Sequence, residues 1–341
     1  MTAADRQAAL AAEEMQELIF GAWTAQTIAT AVDLGVADAL AGGPLSIDEL
    51  AAGVGANSDA LRRLLRVLIS RGIFALGTDG RYELTPLADL LRSDAPGSVA
   101  AFARFVGARQ HREHWSLLTD AIKTGTSIVS GLRGTGFFDY LGTDLEFGQI
   151  FNDAMTSASG WAIGPVVDAY DFTPYHTVVD VGGGHGRLLA AILLSAPDAQ
   201  GVLYDLPEVI AGATPLLQEN HVAERVRLAE GSFFDGVPAG GDAYVLKYII
   251  HDWDDDASLK ILRNVRTAAA PGATLLLLET VIPDDDSRSP GKLLDMVMLL
   301  LNDGRERTAD EYRRLLDEAG FRLTRVMDTA SQLNIIEARA A

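Results

Sequence analysis

Residues Asp180 to Gly186 read D-V-G-G-G-H-G, preceded by the apolar run Thr177–Val181 and followed by a helix-like pattern over Arg187–Ser195. Glycines at a strand-to-helix turn let the backbone adopt positive φ and come close to a ligand, so this is the composition of a nucleotide-binding turn. The dinucleotide fingerprint needs G-x-G-x-x-G. Counted from Gly182 and Gly184, its third glycine falls on Arg187; counted from Gly184 and Gly186, it falls on Leu189. Neither register fits. The pattern D-x-G-x-G-x-G is instead typical of enzymes that use S-adenosylmethionine (SAM), a cationic ligand with no pyrophosphate to cradle. An acid at the strand end, Asp180, suits a cation, and Asp205 ends the next apolar run in "VLYDLP", where a carboxylate can accept both ribose hydroxyls.

His251 follows the apolar stretch Ala243–Ile249 in "YIIHDW", at the carboxyl end of an expected strand. SAM is a methyl donor, and transfer from its sulfonium to a nucleophile is an in-line displacement to which alignment can supply about 7–11 kcal/mol. A nucleophile that holds a proton needs a nearby base, which helps by roughly 10²–10⁴. A lone histidine after a strand is more often structural. An imidazole works as a base only when an acceptor on its other nitrogen fixes the tautomer. Glu279 in "LLLLET" and Glu306 in "DGRERT" are the candidates, although Glu306, between Arg305 and Arg307, reads by itself as a solvated charge. The acid run Asp252, Asp254, Asp255 and Asp256 reads as a helix start before "ASLKILRNV", with carboxylates at the positive helix end, and no metal is expected.

These groups need a scaffold, and the chain is long enough for two cores, with 341 residues, 48% of them hydrophobic. It has no cysteine, which excludes disulfides, thiolate metal sites and cysteine nucleophiles, and suits a reducing, cytoplasmic setting. A formal charge of −19 disfavours nucleic acid and anionic membranes as partners. The N-terminal stretch lacks the basic and apolar regions of a signal peptide. Apolar runs such as Ala273–Ile282 fall far short of the roughly 20 residues of a membrane span.

The two halves differ in pattern. Residues 11–40 carry apolar positions (Met15, Leu18, Ile19, Ala22, Trp23, Ile28, Val32, Val36) at amphipathic-helix spacing. A capping box, Ser46 with Glu49, opens one helix, Ser58 opens a second with the stripe Leu61, Leu64, Leu65 and Leu68, and a hairpin turns at Asp79-Gly80. That succession is a winged-helix arrangement. Arg62, Arg63, Arg66 and Arg71 would be its DNA-facing charges, but Asp48, Glu49, Asp59, Asp79, Glu83 and Asp89 stand among them and leave no basic stripe. Packing or dimerisation is the expected role. From about residue 175, strands (177–181, 201–205, 226–228, 243–249, 274–280) alternate with helical patterns (187–195, 258–268, 293–301, 309–319), and residues 321–340 form a closing strand pair. The expectation is an α/β fold, a doubly wound Rossmann-like parallel sheet behind a mainly helical winged-helix domain.

Taken together, "VVDVGGGHG", "YDLPEVI", "GSFFDGVPAGGDAYVLKYIIHDW", "LLLLETVIP" and "DGRERTADEYRRLLDEAGF" resemble the SAM-dependent O-methyltransferases that include plant caffeic-acid-type enzymes and bacterial enzymes acting on anthracyclines or mitomycins. The likeness spans nearly the full length. It implies a dimerisation domain over 1–165 that also lines the acceptor pocket, and a SAM-binding catalytic domain over 166–341. It makes His251 the base, Glu306 its orienter and Glu279 the second choice. Asp180, Gly182, Gly184, Asp205, Leu206, Ser232, Phe233, Lys247, Trp253 and Ser159 would bind the cofactor. Many such enzymes carry an acid where Ser232 stands and a histidine where Ala158 stands, and the second departure points to a different acceptor. Phe102, Phe105, Trp115, Phe151, Met155, Asp252, Met296, Met298 and Asn302 would meet the substrate, an aromatic and methionine-lined slot suiting a flat phenolic or quinoid ring. His111 and His114 are expected at a surface or interface. The implied protein is a homodimer that converts SAM to S-adenosylhomocysteine (SAH) while methylating an aromatic small molecule, without nucleic acid or membrane partners. Hydroxylation or decarboxylation on the same fold is the alternative, with a winged-helix regulator behind it.

Overall fold

The computed structural model describes residues 2–341. By residue contacts the chain divides into two compact units, residues 1–116 with 138–160, and residues 117–137 with 161–341. The helix Leu145–Ala169 contributes residues to each.

The first unit is helical because its sequence repeats apolar residues at helical spacing and caps the ends. Ser46 and Glu49 form the expected capping box, each side chain bonding the other's backbone N–H at 3.3 and 2.8 Å. Asn57 Oδ1 caps the helix Ser58–Ser70 by accepting from Asp59 and Ala60. That helix buries Leu61, Leu65 and Leu68 against Leu50, Phe74 and Tyr82. Strands β1 (Phe74–Leu76) and β2 (Tyr82–Leu84) pair antiparallel as the wing, with Gly80 at φ +80° supplying the turn. Arg62 and Arg71 are paired with Asp59 and Glu17. Along the helices Ala3–Ile19 and Gly21–Asp33, by contrast, Leu18, Ile19 and Trp23 are each more than 60% exposed.

The second unit is a seven-stranded sheet. Its strands are β3 (Thr177–Val181), β4 (Gln200–Asp205), β5 (Val226–Glu230), β6 (Ala243–Lys247), β7 (Thr274–Glu279), β8 (Phe321–Asp328) and β9 (Asn334–Ala340). The order is β5-β4-β3-β6-β7-β9-β8, parallel except that β9 runs antiparallel between β7 and β8. Strands β3, β6 and β7 are almost wholly buried on both faces, which is why they read as continuous apolar runs rather than alternations. The winding direction reverses between β3 and β6, and that switch point is where an open α/β sheet presents its ligand crevice.

Several boundaries differ from the sequence reading, two of them for plain local reasons. β6 stops at Lys247 because Tyr248 adopts φ +54°, a left-handed conformation that costs about 1–3 kcal/mol for a non-glycine residue and turns the chain out of the sheet. The last long helix starts at Pro290 rather than 293, with Ser289 as cap and proline at its first position. The acid run behaves as a helix start: Asp254 Oδ1 accepts from Ala257 N at 2.8 Å and opens the helix Asp255–Ala268. No helix among the described residues is long and apolar enough to cross a membrane.

Candidate active site

The glycine turn leaves β3 at the switch point. Gly182, Gly184 and Gly186 have φ of +68°, +60° and +83°, conformations in which any other residue would be strained. A Cβ on Gly182 would come within 2.6 Å of Ile249 and one on Gly183 within 2.6 Å of the Asp180 carboxylate, whereas the space beyond Gly184 is open. Asp180 lies buried beneath the turn. Burial raises its carboxyl to a pKa of about 7, with Lys247 pulling it down and Asp205 pushing it up. Asp205 ends β4, and its Oδ2 accepts from Gly184 N at 2.8 Å while Oδ1 accepts from Leu206 N at 2.7 Å. Leu206 is 43% exposed beside it. Phe233 approaches the Gly182 face and stands edge-on to Trp253 at 6.2 Å, and Ser232 Oγ holds the following turn through Phe234 N. Lys247 is half-buried with its ammonium 5.1 Å from the Tyr248 ring centre, and burial lowers its pKa against the pull of Asp180 and Glu279. A glycine cradle open at Gly184, a carboxylate at the second strand end and exposed apolar surface for a base fit SAM.

His251 sits on a one-turn 3₁₀ helix, Ile250–Asp252, at the carboxyl end of β6. Its Nδ1 lies 2.8 Å from Glu306 Oε1, both side chains buried. Glu306 is therefore not a solvated charge between two arginines. Its Oε1 fixes the imidazole, and its backbone N–H is held by Asp295 Oδ1 at 2.9 Å. Glu279 does different work: its Oε1 accepts from Ile249 N at 3.1 Å and Ile250 N at 2.8 Å, bracing the turn that carries the histidine. Asp252 Oδ1 stands 3.6 Å from His251 Nε2 and accepts from Asn302 Nδ2 at 2.9 Å, so these two expected substrate residues share a corner with the histidine. The Tyr248 ring stacks on the imidazole with centroids 5.1 Å apart.

Burial alone would lower the imidazole's pKa. The carboxylates of Asp252, Glu279 and Glu306 outweigh it and hold the group up to about 10. Burial raises Glu279 to about 7 against the attraction of His251. Ligand atoms of His251, Glu279 and Glu306 come within 4.8 Å of one another, the spacing of a small-cation site, but His251 Nδ1 and Glu279 Oε1 already have hydrogen-bond partners within the protein.

A second chain crossing fixes the pair. Arg305 N donates to His251 O at 2.8 Å, and the buried Arg307 side chain reaches the carbonyls of Ile250 and Trp253, each at 3.0 Å. Gly304 passes so close that a Cβ there would overlap the His251 carbonyl and lie 2.8 Å from Asp252 C. Tyr248 and Arg307 escaped the sequence reading. An apolar-strand tyrosine and an arginine flanked by charges carry no signal of strain or burial.

Of the other expected site residues, Met296 and Met298 lie on the helix Pro290–Asn302, with Met298 in the core. Ser159, Phe102, Phe105, Trp115, Phe151 and Met155 belong to the first unit. There Phe105 is buried, its ring 5.6 Å from Phe151 and 4.3 Å from His111, while Phe102 and Met155 are more than one-third exposed. The expectation of surface positions for His111 and His114 is wrong: they are 4% and 0% exposed. Their helix turns both rings into an aromatic cluster, where Trp115 Nε1 donates to His111 Nε2 at 2.9 Å, and burial, with His114 adding, pushes His111 down to about 4.

Known proteins resemble this chain in sequence and fold. Residues 115–322 match the O-methyltransferase domain and residues 16–94 the O-methyltransferase dimerisation domain. The chain is 43% identical over 323 residues to phenazine O-methyltransferase PhzM of Lysobacter antibioticus, covering 95% of this chain and 94% of that one. It is 34% identical to the phenazine-1-carboxylate N-methyltransferase of Pseudomonas aeruginosa, covering 97% and 98%. Among solved structures, CalO1, a methyltransferase in calicheamicin biosynthesis in its SAH-bound form, superposes with a TM-score of 0.88 at 33% identity over the whole of both chains. The glycine turn, the strand-end acid and the matched domains together place this chain in the SAM-dependent O-methyltransferase family.

Proposed function

We propose that this chain methylates a hydroxyl of an aromatic natural product, phenolic or quinoid, with His251 as general base and Glu306 as its orienting partner. Bound SAM supplies an electrophilic methyl on a sulfonium. Gly182 and Gly184 would lie along its methionine portion, Asp205 would accept from its ribose, and Leu206, Phe233 and Trp253 would flank its adenine. The carrying observation is the 2.8 Å bond from His251 Nδ1 to Glu306, which leaves Nε2 as the nitrogen free to take the acceptor's proton. An imidazolium held up to about 10 matches a phenol's pKa of about 10. Once the imidazole is neutral, the proton passes to Nε2 at little cost in free energy, and the phenolate is left against a cation. The exposed face at Leu18, Ile19 and Trp23 is proposed to bury itself in a homodimer.

The test is methyl transfer from SAM to a panel of phenols, hydroxyquinones and arylamines, followed by product mass. His251→Ala should lose about 10²–10⁴ in kcat on phenols of pKa near 10. Near-normal rates with SAM binding intact would remove the base from the mechanism. Nitrogen acceptors are the second reading, favoured by the N-methyltransferase relative; methylation of the arylamines alone would select it.

A further inference from the structure

The segment that brings Glu306 to the histidine also carries Arg307, and we propose that Arg307 is a positioning residue that sets the base: its guanidinium clamps the carbonyl side of the His251 turn. The inference rests on His251 being the base.

A single 3₁₀ turn has little stability of its own, and this one follows directly on the left-handed Tyr248. It is held from two sides by opposite charges. On the N–H side, the Glu279 carboxylate takes Ile249 N and Ile250 N. On the C=O side, Arg307 Nη1 donates to Ile250 O and Nη2 to Trp253 O, both at 3.0 Å, the carbonyls on either side of His251 and Asp252. Nη2 also reaches Ser258 Oγ at 3.3 Å, and Asp255 Oδ1 accepts from Nη2 at 2.7 Å and from Nε at 3.1 Å. The arginine side chain is 1% exposed. A planar fork with several fixed donors can satisfy two carbonyls and a carboxylate at once, which an ammonium cannot.

The clamp gains its meaning from chain order. Arg307 follows Glu306, so one short stretch places the carboxylate on His251 Nδ1 and fixes the backbone from which that histidine hangs. Its own backbone is tied down independently: Ile282 N donates to Arg307 O at 3.1 Å. Loss of the fork frees the turn to shift against Glu306, and a displacement of about 1 Å in a catalytic group costs on the order of 10²-fold.

The experiment measures kcat, KM for SAM and Tm in Arg307→Lys, Glu306→Gln and His251→Ala, using one phenol of pKa near 10 and one near 7 that is already largely ionised. The clamp predicts that folded Arg307→Lys loses roughly 10–100-fold in kcat on the first phenol, keeps its KM for SAM, and loses much less on the second. A kcat within twofold of wild type, or equal losses on both phenols, would overturn it. If Arg307→Lys does not fold, Asp255→Asn, which removes the fork's charged partner at the helix start, decides: a smaller loss selective for the pKa-10 phenol supports the clamp, and none overturns it. Failure of the base itself shows separately, as near-normal His251→Ala activity on the pKa-10 phenol.

Discussion

Replacing Glu306 by glutamine keeps the shape at His251 Nδ1 and removes the charge, because an amide oxygen can still accept at the observed 2.8 Å. A hydrogen bond to a charged group contributes about 1.5–3 kcal/mol and a neutral one about 0.5–1.5. The imidazolium therefore loses about 1–2 kcal/mol of support, and its pKa falls by roughly one unit from about 10. Two effects on kcat oppose each other. A weaker base lowers the high-pH plateau, by about threefold if roughly half of that one-unit loss is felt in the transition state. Yet below both pKa values the neutral imidazole becomes about tenfold more populated in the variant, which more than offsets the loss. Profiles of kcat between pH 6 and 10.5 on a phenol of pKa near 10, followed as SAH release, should therefore cross. Near pH 7 Glu306→Gln should be about threefold faster than wild type, it should level off about one unit earlier, and its plateau should be lower. A variant profile parallel to wild type at every pH would refute the reasoning, since it would mean that the Glu306 charge does not act through the ionisation of His251.

Asp205→Asn should weaken SAM binding roughly 10–100-fold in calorimetric titration, the loss of charge-assisted bonds worth about 1.5–3 kcal/mol, while kcat at saturating SAM stays close to wild type. Ile19→Glu combined with Trp23→Glu, at positions 61% and 67% exposed in the single chain, should shift the protein from dimer to monomer in sedimentation analysis without lowering the helical content. His111 is kept neutral by burial, its pKa lowered to about 4 from the usual 6.5. The unfolded chain alone binds that proton in between, so its stabilising contribution is present above pH 6.5 and lost as pH falls from 6.5 to 4, by up to about 3 kcal/mol. Urea denaturation at pH 7.5 and pH 5 should accordingly show less acid sensitivity in His111→Phe than in wild type.

Much of this was legible from composition and spacing. Parallel strands buried on both faces must be continuous apolar runs, so β3, β6 and β7 announce themselves. Positive φ favours glycine, so the turn at Gly182–Gly186 does too. The acids at 254–256 and the Ser46–Glu49 pair follow from helix-end chemistry that is local in sequence. What stayed hidden depends on contacts distant in sequence. The pairing of His251 with Glu306 rather than Glu279 was reached through the family resemblance alone, because it depends on where the Gly304–Arg307 stretch crosses the 3₁₀ turn and no local pattern encodes that crossing. The burial of His111 and His114 was missed because "RQHREHW" is polar throughout, and only the surrounding Phe105, Tyr140 and Phe147 rings turn one side of it inward.

Gly304 has an evolutionary corollary. The space its missing Cβ would take is filled by backbone of residues 251 and 252, which cannot rotate aside as a side chain would. Any substitution there would push apart the two strands of chain that hold the imidazole and its carboxylate. His251 and Glu306 thus form a sealed cartridge that drift cannot retune from this position. Adaptation of this architecture would have to run through side chains that touch neither stretch, leaving that pair intact while its surroundings change.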